Sequence, residues 1–173
     1  MAEAAPGAFT IREIRPEEHE ALGEVTSRAY ADELSPHDAG YFDELRDVAG
    51  RAAVVPVLVA VDVDGRVVGG ATYVPGPGTP LSEAERAGEA GIRMLAVDPA
   101  MAGRGIGRAL AQACVARARA EGRTGVTLYT LPTMTVAHRL YESLGFQRDT
   151  VRDWEYLPGE FLWSYAIRFE PEA

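Results

Sequence analysis

Apolar and polar residues alternate along Phe9-Thr-Ile-Arg-Glu13, which predicts a first strand. Two further apolar runs, Val57 to Val63 and Arg66 to Val74, flank Asp64-Gly65 and predict a β-hairpin. Between these stretches, Arg15-Pro16-Glu17-Glu18 carries the proline and acids of a helix start, and the helix is expected to run to about Ala31. A second, shorter helix is suggested from Asp38 to Val48, after a break at Ser35-Pro36. An irregular loop opens at Pro75-Gly-Pro-Gly-Thr-Pro80 and ends near Ala90. An apolar strand then closes on Leu95, Ala96 and Val97, is stopped by Pro99, and is followed by a helix that Gly122 ends. The remaining order is a strand from Val126 to Leu131, a helix from Thr135 to Leu144, and two strands near Phe146 to Trp154 and Glu160 to Phe169. Residues 1–8 are small and unpatterned and read as a frayed tail, which leaves residues 9–170 as one domain.

At 173 residues one domain suffices, large enough to bury roughly 70% of the surface its unfolded chain exposes. The longest uninterrupted apolar run, Ala52 to Val61, contains Pro56 and is far short of the ~20 residues that span a bilayer, so no membrane segment is expected. With 17 Lys plus Arg against 26 Asp plus Glu, the net charge of -9 disfavours a nucleic-acid partner and leans toward a cationic one. Cys114 is the only cysteine, so no intrachain disulfide forms and cytoplasmic residence is the default expectation. It shares a helical stripe with Ile106 and Leu110, which reads as a small buried hydrophobe rather than a nucleophile. His19, His37 and His138 have no mutual ligand spacing, so no metal is implied, and no serine sits in a Gly-x-Ser-x-Gly elbow.

The junction from Gly91 to Leu110 carries the chemistry. A buried strand empties into a glycine-rich turn, where Gly103, Gly105 and Gly107 let backbone amides turn toward an anion and the next helix points its positive end at the same spot. The spacing is neither Gly-x-Gly-x-x-Gly nor a Walker loop. Arg104 and Arg108 stand at that helix start, where the helix dipole disfavours cations. They are either two exposed arginines or partners of a bound phosphate.

With the later Val126 strand and the run Ala137-His-Arg-Leu-Tyr-Glu-Ser-Leu-Gly-Phe146, this junction resembles the GNAT family of N-acetyltransferases over about Val57 to Phe146. That family has Gln/Arg-x-x-Gly-x-Gly/Ala on the first helix and Tyr-x-x-x-Gly-Phe downstream. Here the Gln/Arg position is Ala102, and an asparagine many members place before the later helix is Met134. The resemblance implies an α/β (α+β) domain. Its central mixed, mostly antiparallel sheet has six to seven strands, is splayed between the fourth and fifth, and is flanked by about four helices.

It also implies acetyl-CoA as co-substrate and direct transfer to a primary amine of a small molecule or peptide. The alternatives are a non-catalytic acyl-CoA sensor and a transferase of longer acyl groups. A homodimer is compatible with either.

By the same resemblance, backbone groups of Leu95, Ala96 and Val97 would hold the pantetheine arm, and amides from Gly103 through Arg104, Gly105, Ile106 and Gly107 to Arg108 the pyrophosphate. Met134, His138 and Tyr141 share a helix face bordering the cofactor. Tyr141 is the candidate acid for the departing thiolate, or else a packing residue beside Leu140 and Leu144. His138 touches the cofactor or is a structurally bonded histidine. Glu89 is the candidate base, two residues before Gly91 on the strand face where some members carry a glutamate, or else a charge at the strand mouth. Glu83, Glu85 and Glu89 make the preceding loop acidic, either as a solvated loop or as a lid over an amine cleft. Tyr30, Tyr41, Phe42 and Trp154 are candidate walls of the acceptor pocket or core residues.

Overall fold

The computed structural model describes residues 8–35, 38–83 and 85–171; most of the expected tail, together with Pro36 and His37, lies outside the described residues. Eight strands form the sheet: β1 (Phe9–Glu13), β2 (Val57–Asp62), β3 (Val67–Val74), β4 (Glu89–Val97), β5 (Gly125–Thr130), β6 (Gln147–Arg148), β7 (Trp154–Leu157) and β8 (Glu160–Arg168). The helices are α1 (His19–Tyr30), α2 (Ala39–Arg46), α3 (Val48–Ala52), α4 (Ile106–Ala120) and α5 (Thr135–Ser143). Strand order is β1-β2-β3-β4-β5-β8-β6, with β7 paired to β8. β4 and β5 run parallel, while β1/β2, β2/β3, β5/β8, β6/β8 and β7/β8 are antiparallel. The expected mixed, mostly antiparallel sheet is therefore present.

Two details differ from the sequence reading. The stretch expected as one strand from Phe146 to Trp154 breaks into the two-residue β6, a 3-10 turn over Thr150–Arg152, and β7. Its polar run Arg148-Asp-Thr-Val-Arg-Asp153 does not alternate, and Arg148 closes the turn by donating both guanidinium ends to Asp153. Second, a short α3 follows α2, started by the Asp47 carboxylate accepting the Gly50 amide at 2.9 Å.

The chain divides into two compact units, one built from residues up to Thr72 with Met94–Leu110, the other from Tyr73–Arg93 with residues from Ala111 onward. In the first, Leu22 and Val25 of α1 pack with Val48, Val57, Val59, Val61 and Val67 into one buried cluster. Gly69 and Gly70 of β3 make this packing close. A Cβ on Gly70 would collide with the Leu22 side chain, and one on Gly69 would stand 2.8 Å from the Ala96 carbonyl and 3.1 Å from Ile106 Cγ2. Adjacent strand residues point to opposite faces, so the glycine pair lets α1 approach one face and the first turn of α4 the other.

In the second unit, α4 and α5 both end in Schellman caps. Gly122 adopts φ 71°, with Gly122 N–H donating to Arg119 O and Arg123 N–H to Ala118 O. Gly145 adopts φ 95°, with Gly145 N–H donating to Glu142 O and Phe146 N–H to Tyr141 O. The Phe146 ring then packs on Tyr141 at 5.6 Å. At the start of β4, Glu89 is only 8% exposed and accepts both guanidinium ends of buried Arg152, at 3.1 and 2.7 Å, plus the Arg86 amide at 2.9 Å. Burial alone would raise this carboxyl; the Arg152 hydrogen bonds, the Arg86 amide and the nearby positive charges outweigh it, and Glu89 titrates below the usual carboxylate range.

Replacing Gly69→Ala, which sets a methyl against a backbone carbonyl, is expected to cost about 1–3 kcal/mol in urea unfolding. Gly40→Ala, on the open face of α2, should gain about 0.5 kcal/mol; equal effects would discount the close approach. Arg152→Met strands a buried carboxylate and is expected to cost about 3 kcal/mol. Because the folded pKa of Glu89 is depressed, its contribution is complete above the unfolded carboxyl's ~4.3 and is lost as pH falls through the folded value. Wild type should thus lose more stability than Glu89→Gln on acidification below about pH 4, as read by urea midpoints at each pH.

Candidate functional site

Strand β4 pairs with β5 over only three residues, Glu89↔Gly125, Ala90↔Val126 and Gly91↔Thr127, although β4 continues to Val97 and β5 to Thr130. This is the expected splay between the fourth and fifth strands. Met94 sits just beyond the last pair at φ 52°, the only non-glycine residue at positive φ among those described. A left-handed residue bearing a Cβ costs roughly 1–2 kcal/mol, and such strain is kept where it sets a functional geometry. Past the kink Ala96 is buried, while Leu95 and Val97 are half-buried. The Tyr30 hydroxyl reaches the Leu95 carbonyl at 3.5 Å, a long contact.

The chain leaves β4 through Asp98. Its backbone N–H bonds the Val68 carbonyl at 2.9 Å, one carboxylate oxygen accepts the Ala100 amide at 3.0 Å, and the other accepts Arg28 of α1 at 2.8 Å. Pro99 ends the strand as expected and also opens a 3-10 turn over Pro99–Met101. Gly103 and Gly105 then adopt φ 77° and 79° with open space where a Cβ would stand. Gly107 differs from the sequence reading: it lies inside the first turn of α4, not in the turn before it. The first intrahelical bond is Ala109 N–H to Gly105 O, so the amides of Ile106 and Gly107 lead the helix ahead of its own hydrogen bonding. Ile106 is buried and anchors the turn, whereas Arg104 and Arg108 are exposed. A fifteen-residue helix whose N-terminal end faces a Cβ-free approach and carries two guanidinium groups suits a phosphate.

In the second unit, α5 begins after Met134, whose carbonyl accepts the His138 amide at 3.1 Å. His138 and Tyr141 form the buried face of α5. The His138 Nε2 lies 2.8 Å from Thr130 Oγ1 and 3.1 Å from the Leu131 carbonyl, and the ring stacks on Trp163 at 5.2 Å and Tyr165 at 5.3 Å. These contacts tie α5 to the end of β5. Burial, with a smaller push from Cys114, raises the Tyr141 phenol well above its usual 10. Cys114 is fully buried on α4 and its thiol is pushed up to about 12 by burial, so it is a core residue.

The candidate acceptor walls are divided between the two units. Tyr30 and Tyr41 meet edge to face at 6.5 Å, and Phe42 lines a shallow 520 Å³ depression between α1 and α2 with Glu24, Ser27, Arg28, Asp43 and Arg46. Trp154 stands half-exposed on β7 against Tyr129 at 6.0 Å. Glu89, the candidate base, is held in its ion pair with Arg152, which lowers its basicity. The positions of Arg28, Asp98, Arg152 and the Met94 kink carry no local sequence signal, since each acts with a residue far along the chain or through backbone shape. Among the described residues no helix is long and apolar enough to cross a membrane, and no cluster of metal-ligating side chains occurs.

These features agree with the comparisons to known proteins. Over 155 residues the chain is 36% identical to a mycothiol acetyltransferase of Sanguibacter keddieii, covering 87% of this chain and 47% of that protein. The chain spans less than half the length of the mycothiol acetyltransferases it matches. Among solved structures, a GNAT-family acetyltransferase of Staphylococcus aureus Mu50 superposes with a TM-score of 0.71 at 15% identity, covering 94% of this chain and 100% of that one. A GNAT-family acetyltransferase of Brucella melitensis in complex with acetyl-CoA gives a TM-score of 0.62 at 26% identity, covering 96% and 92%. The sequence model of the acetyltransferase (GNAT) family matches residues 11–146, and the chain belongs to that family.

Proposed function

We propose that the protein is an acetyl-CoA-dependent N-acetyltransferase acting on a primary amine. The observation that carries this reading is β4 itself, which drops its partner after Gly91, kinks at Met94 and runs into the glycine turn that starts α4. Strand groups at Leu95, Ala96 and Val97, beyond the last residue paired with β5, suit an extended amide-bearing arm, which a strand edge binds as it would another strand. The turn from Gly103 through Arg104, Gly105, Ile106 and Gly107 to Arg108 suits a pyrophosphate. Met134 and His138 are assigned to the wall beside the arm, His138 through its ring and not as a proton carrier. Acetyl-CoA supplies an activated thioester; what the chain supplies is orientation, amide donors and proton transfer.

Tyr141 is assigned as the acid that protonates the leaving thiolate. A phenol raised by burial stays protonated through the neutral range, and a thiolate of ordinary pKa ~8.5 is an acceptable proton acceptor during departure. Glu89 is assigned to positioning, holding the mouth of β4 through Arg152. The acceptor of the relatives named mycothiol acetyltransferase belongs in any screen, beside glucosamine, spermidine and a peptide amino terminus. The single, buried cysteine is in keeping with cytoplasmic residence.

Calorimetric titration with acetyl-CoA, CoA and NADH is expected to show saturable one-to-one binding of the two CoA species alone. Silence with all three would remove the cofactor assignment. In a thiol-release assay over the amine panel, Tyr141→Phe should lower kcat about 100-fold, within the range of general acid catalysis, while leaving the acetyl-CoA Kd within about twofold, since the phenol acts on the leaving group and not on the bound ester. Unchanged kcat in the variant would return Tyr141 to a packing role.

A further inference from the structure

The loop before β4 carries a carboxylate that the reading above does not use. Glu85 Oε2 accepts the Ser82 hydroxyl at 2.6 Å and the Glu83 amide at 2.8 Å, which fixes the side chain. Its other oxygen, Oε1, occupies the space that a Cβ on Gly91 would take, and the three atoms nearest to that point all belong to Glu85. Gly91 is the last residue of β4 paired with β5. A loop carboxylate therefore lies over the strand at the fork, in a gap that only glycine leaves open.

The neighbouring charges set Glu85 apart. Glu83 pairs with Arg93 at 2.6 Å, Asp153 with Arg148 at 2.6 Å, and Glu89 with Arg152 at 2.7 Å. Among the described residues Glu85 alone of these four has no cationic partner, and Oε1 takes no hydrogen bond from them. Tyr129 of β5 is raised by burial and, against the opposing charge of Arg152, by the charges of Glu83, Glu85 and Asp153, so these groups share one electrostatic environment. A fixed, half-buried carboxylate with one free oxygen and no counter-ion suits a cationic ligand that can give it a proton.

We propose that Glu85, reaching over Gly91 from the loop, is the base that takes the proton from the acceptor's ammonium group. The proposal rests on the transferase reading above. The ammonium nitrogen gives one proton to Oε1, and its freed lone pair forms the C–N bond to the thioester carbonyl carbon as the C–S bond breaks. The thiolate takes a proton from Tyr141, and the second proton lost by the nitrogen restores the phenol. Glu85 then releases its proton to water, so ammonium plus acetyl-CoA gives amide, CoA thiol and one proton.

The test compares wild type, Glu85→Gln and the double variant Glu85→Gln/Gly91→Glu, using acetyl-CoA with the glucosamine, spermidine and peptide acceptors. Glu85→Gln is expected to lower kcat/KM at pH 7 about 100-fold with acetyl-CoA Kd unchanged. With the peptide acceptor the deficit should narrow as pH rises past ~9, where an α-amino group of pKa ~8 is already neutral and needs no base. The double variant returns a carboxylate to the same gap from the strand and should recover most of the loss. A Glu85→Gln profile that coincides with wild type overturns the proposal, as does an equal loss at every pH accompanied by weaker acetyl-CoA binding, the signature of a loop that has merely moved. Wild type that releases no thiol with any acceptor overturns the transferase reading, and this assignment with it.

Discussion

A β-strand that gives up its neighbour leaves a row of backbone donors and acceptors that must find partners elsewhere, and this constraint organises the protein around β4. Three residue pairs hold β4 to β5 before the register ends at Gly91, and Met94 then takes a conformation that side-chain-bearing residues avoid. Continued pairing would have satisfied those groups within the sheet, at the expense of any role for them in binding. The kink is tolerated because its surroundings fix it. Gly69 lets the β4 carbonyl at Ala96 and the first turn of α4 come close to β3, and Asp98 is held by the Val68 carbonyl and by Arg28. The glycine turn at the head of α4 is placed by these contacts rather than by its own flexibility.

The two ends of β4 are secured by different physics. At the far end close packing and backbone hydrogen bonds dominate, so that a single methyl makes a contact too short, and the Arg28–Asp98 pair there is half-exposed. The near end is governed by charge, through the buried pair of Glu89 and Arg152. A buried ion pair contributes little net stability over a well-packed apolar pair, but it is costly to half-remove and so fixes geometry strongly. Packing tolerates changes in pH and charge pairing does not, so acid should loosen the mouth of the strand before the turn that starts α4.

What was legible in the sequence was what neighbouring residues decide among themselves. The hairpin around Asp64-Gly65, the stop at Gly122 and the glycine turn each rest on contacts within a few residues, and glycine and proline mark them. The splay itself followed only from family resemblance, because Met94 has no composition that announces a left-handed kink. Arg152 and Glu89 are 63 residues apart and Arg28 and Asp98 are 70 apart, so no local pattern joins them. Glu83, Glu85 and Glu89 looked alike as one acidic loop. Their separation into one carboxylate bound by Arg93, one lying over Gly91 and one bound by Arg152 needed the fold. The polar stretch after Phe146 departs from a single strand because a segment in which Arg148 ties back to Asp153 cannot stay extended.

Charge selection in this chain follows the same logic. All 17 of its long cationic side chains are arginine and none is lysine. Guanidinium groups bind carboxylates through two parallel hydrogen bonds, as in the pairs of Arg12 with Glu18, Arg148 with Asp153 and Arg152 with Glu89. They also remain charged at any pH where the protein folds, so Glu89 keeps its partner over the whole neutral range. For the transferase proposed above, this composition has a second consequence. A lysine near the reacting thioester would be both a competing acceptor and a charge that acylation removes, whereas arginine holds its counter-ions without offering a nucleophile. Since the chain has no lysine ε-amino group, the cations that shape the candidate site would not themselves be substrates for the proposed transfer.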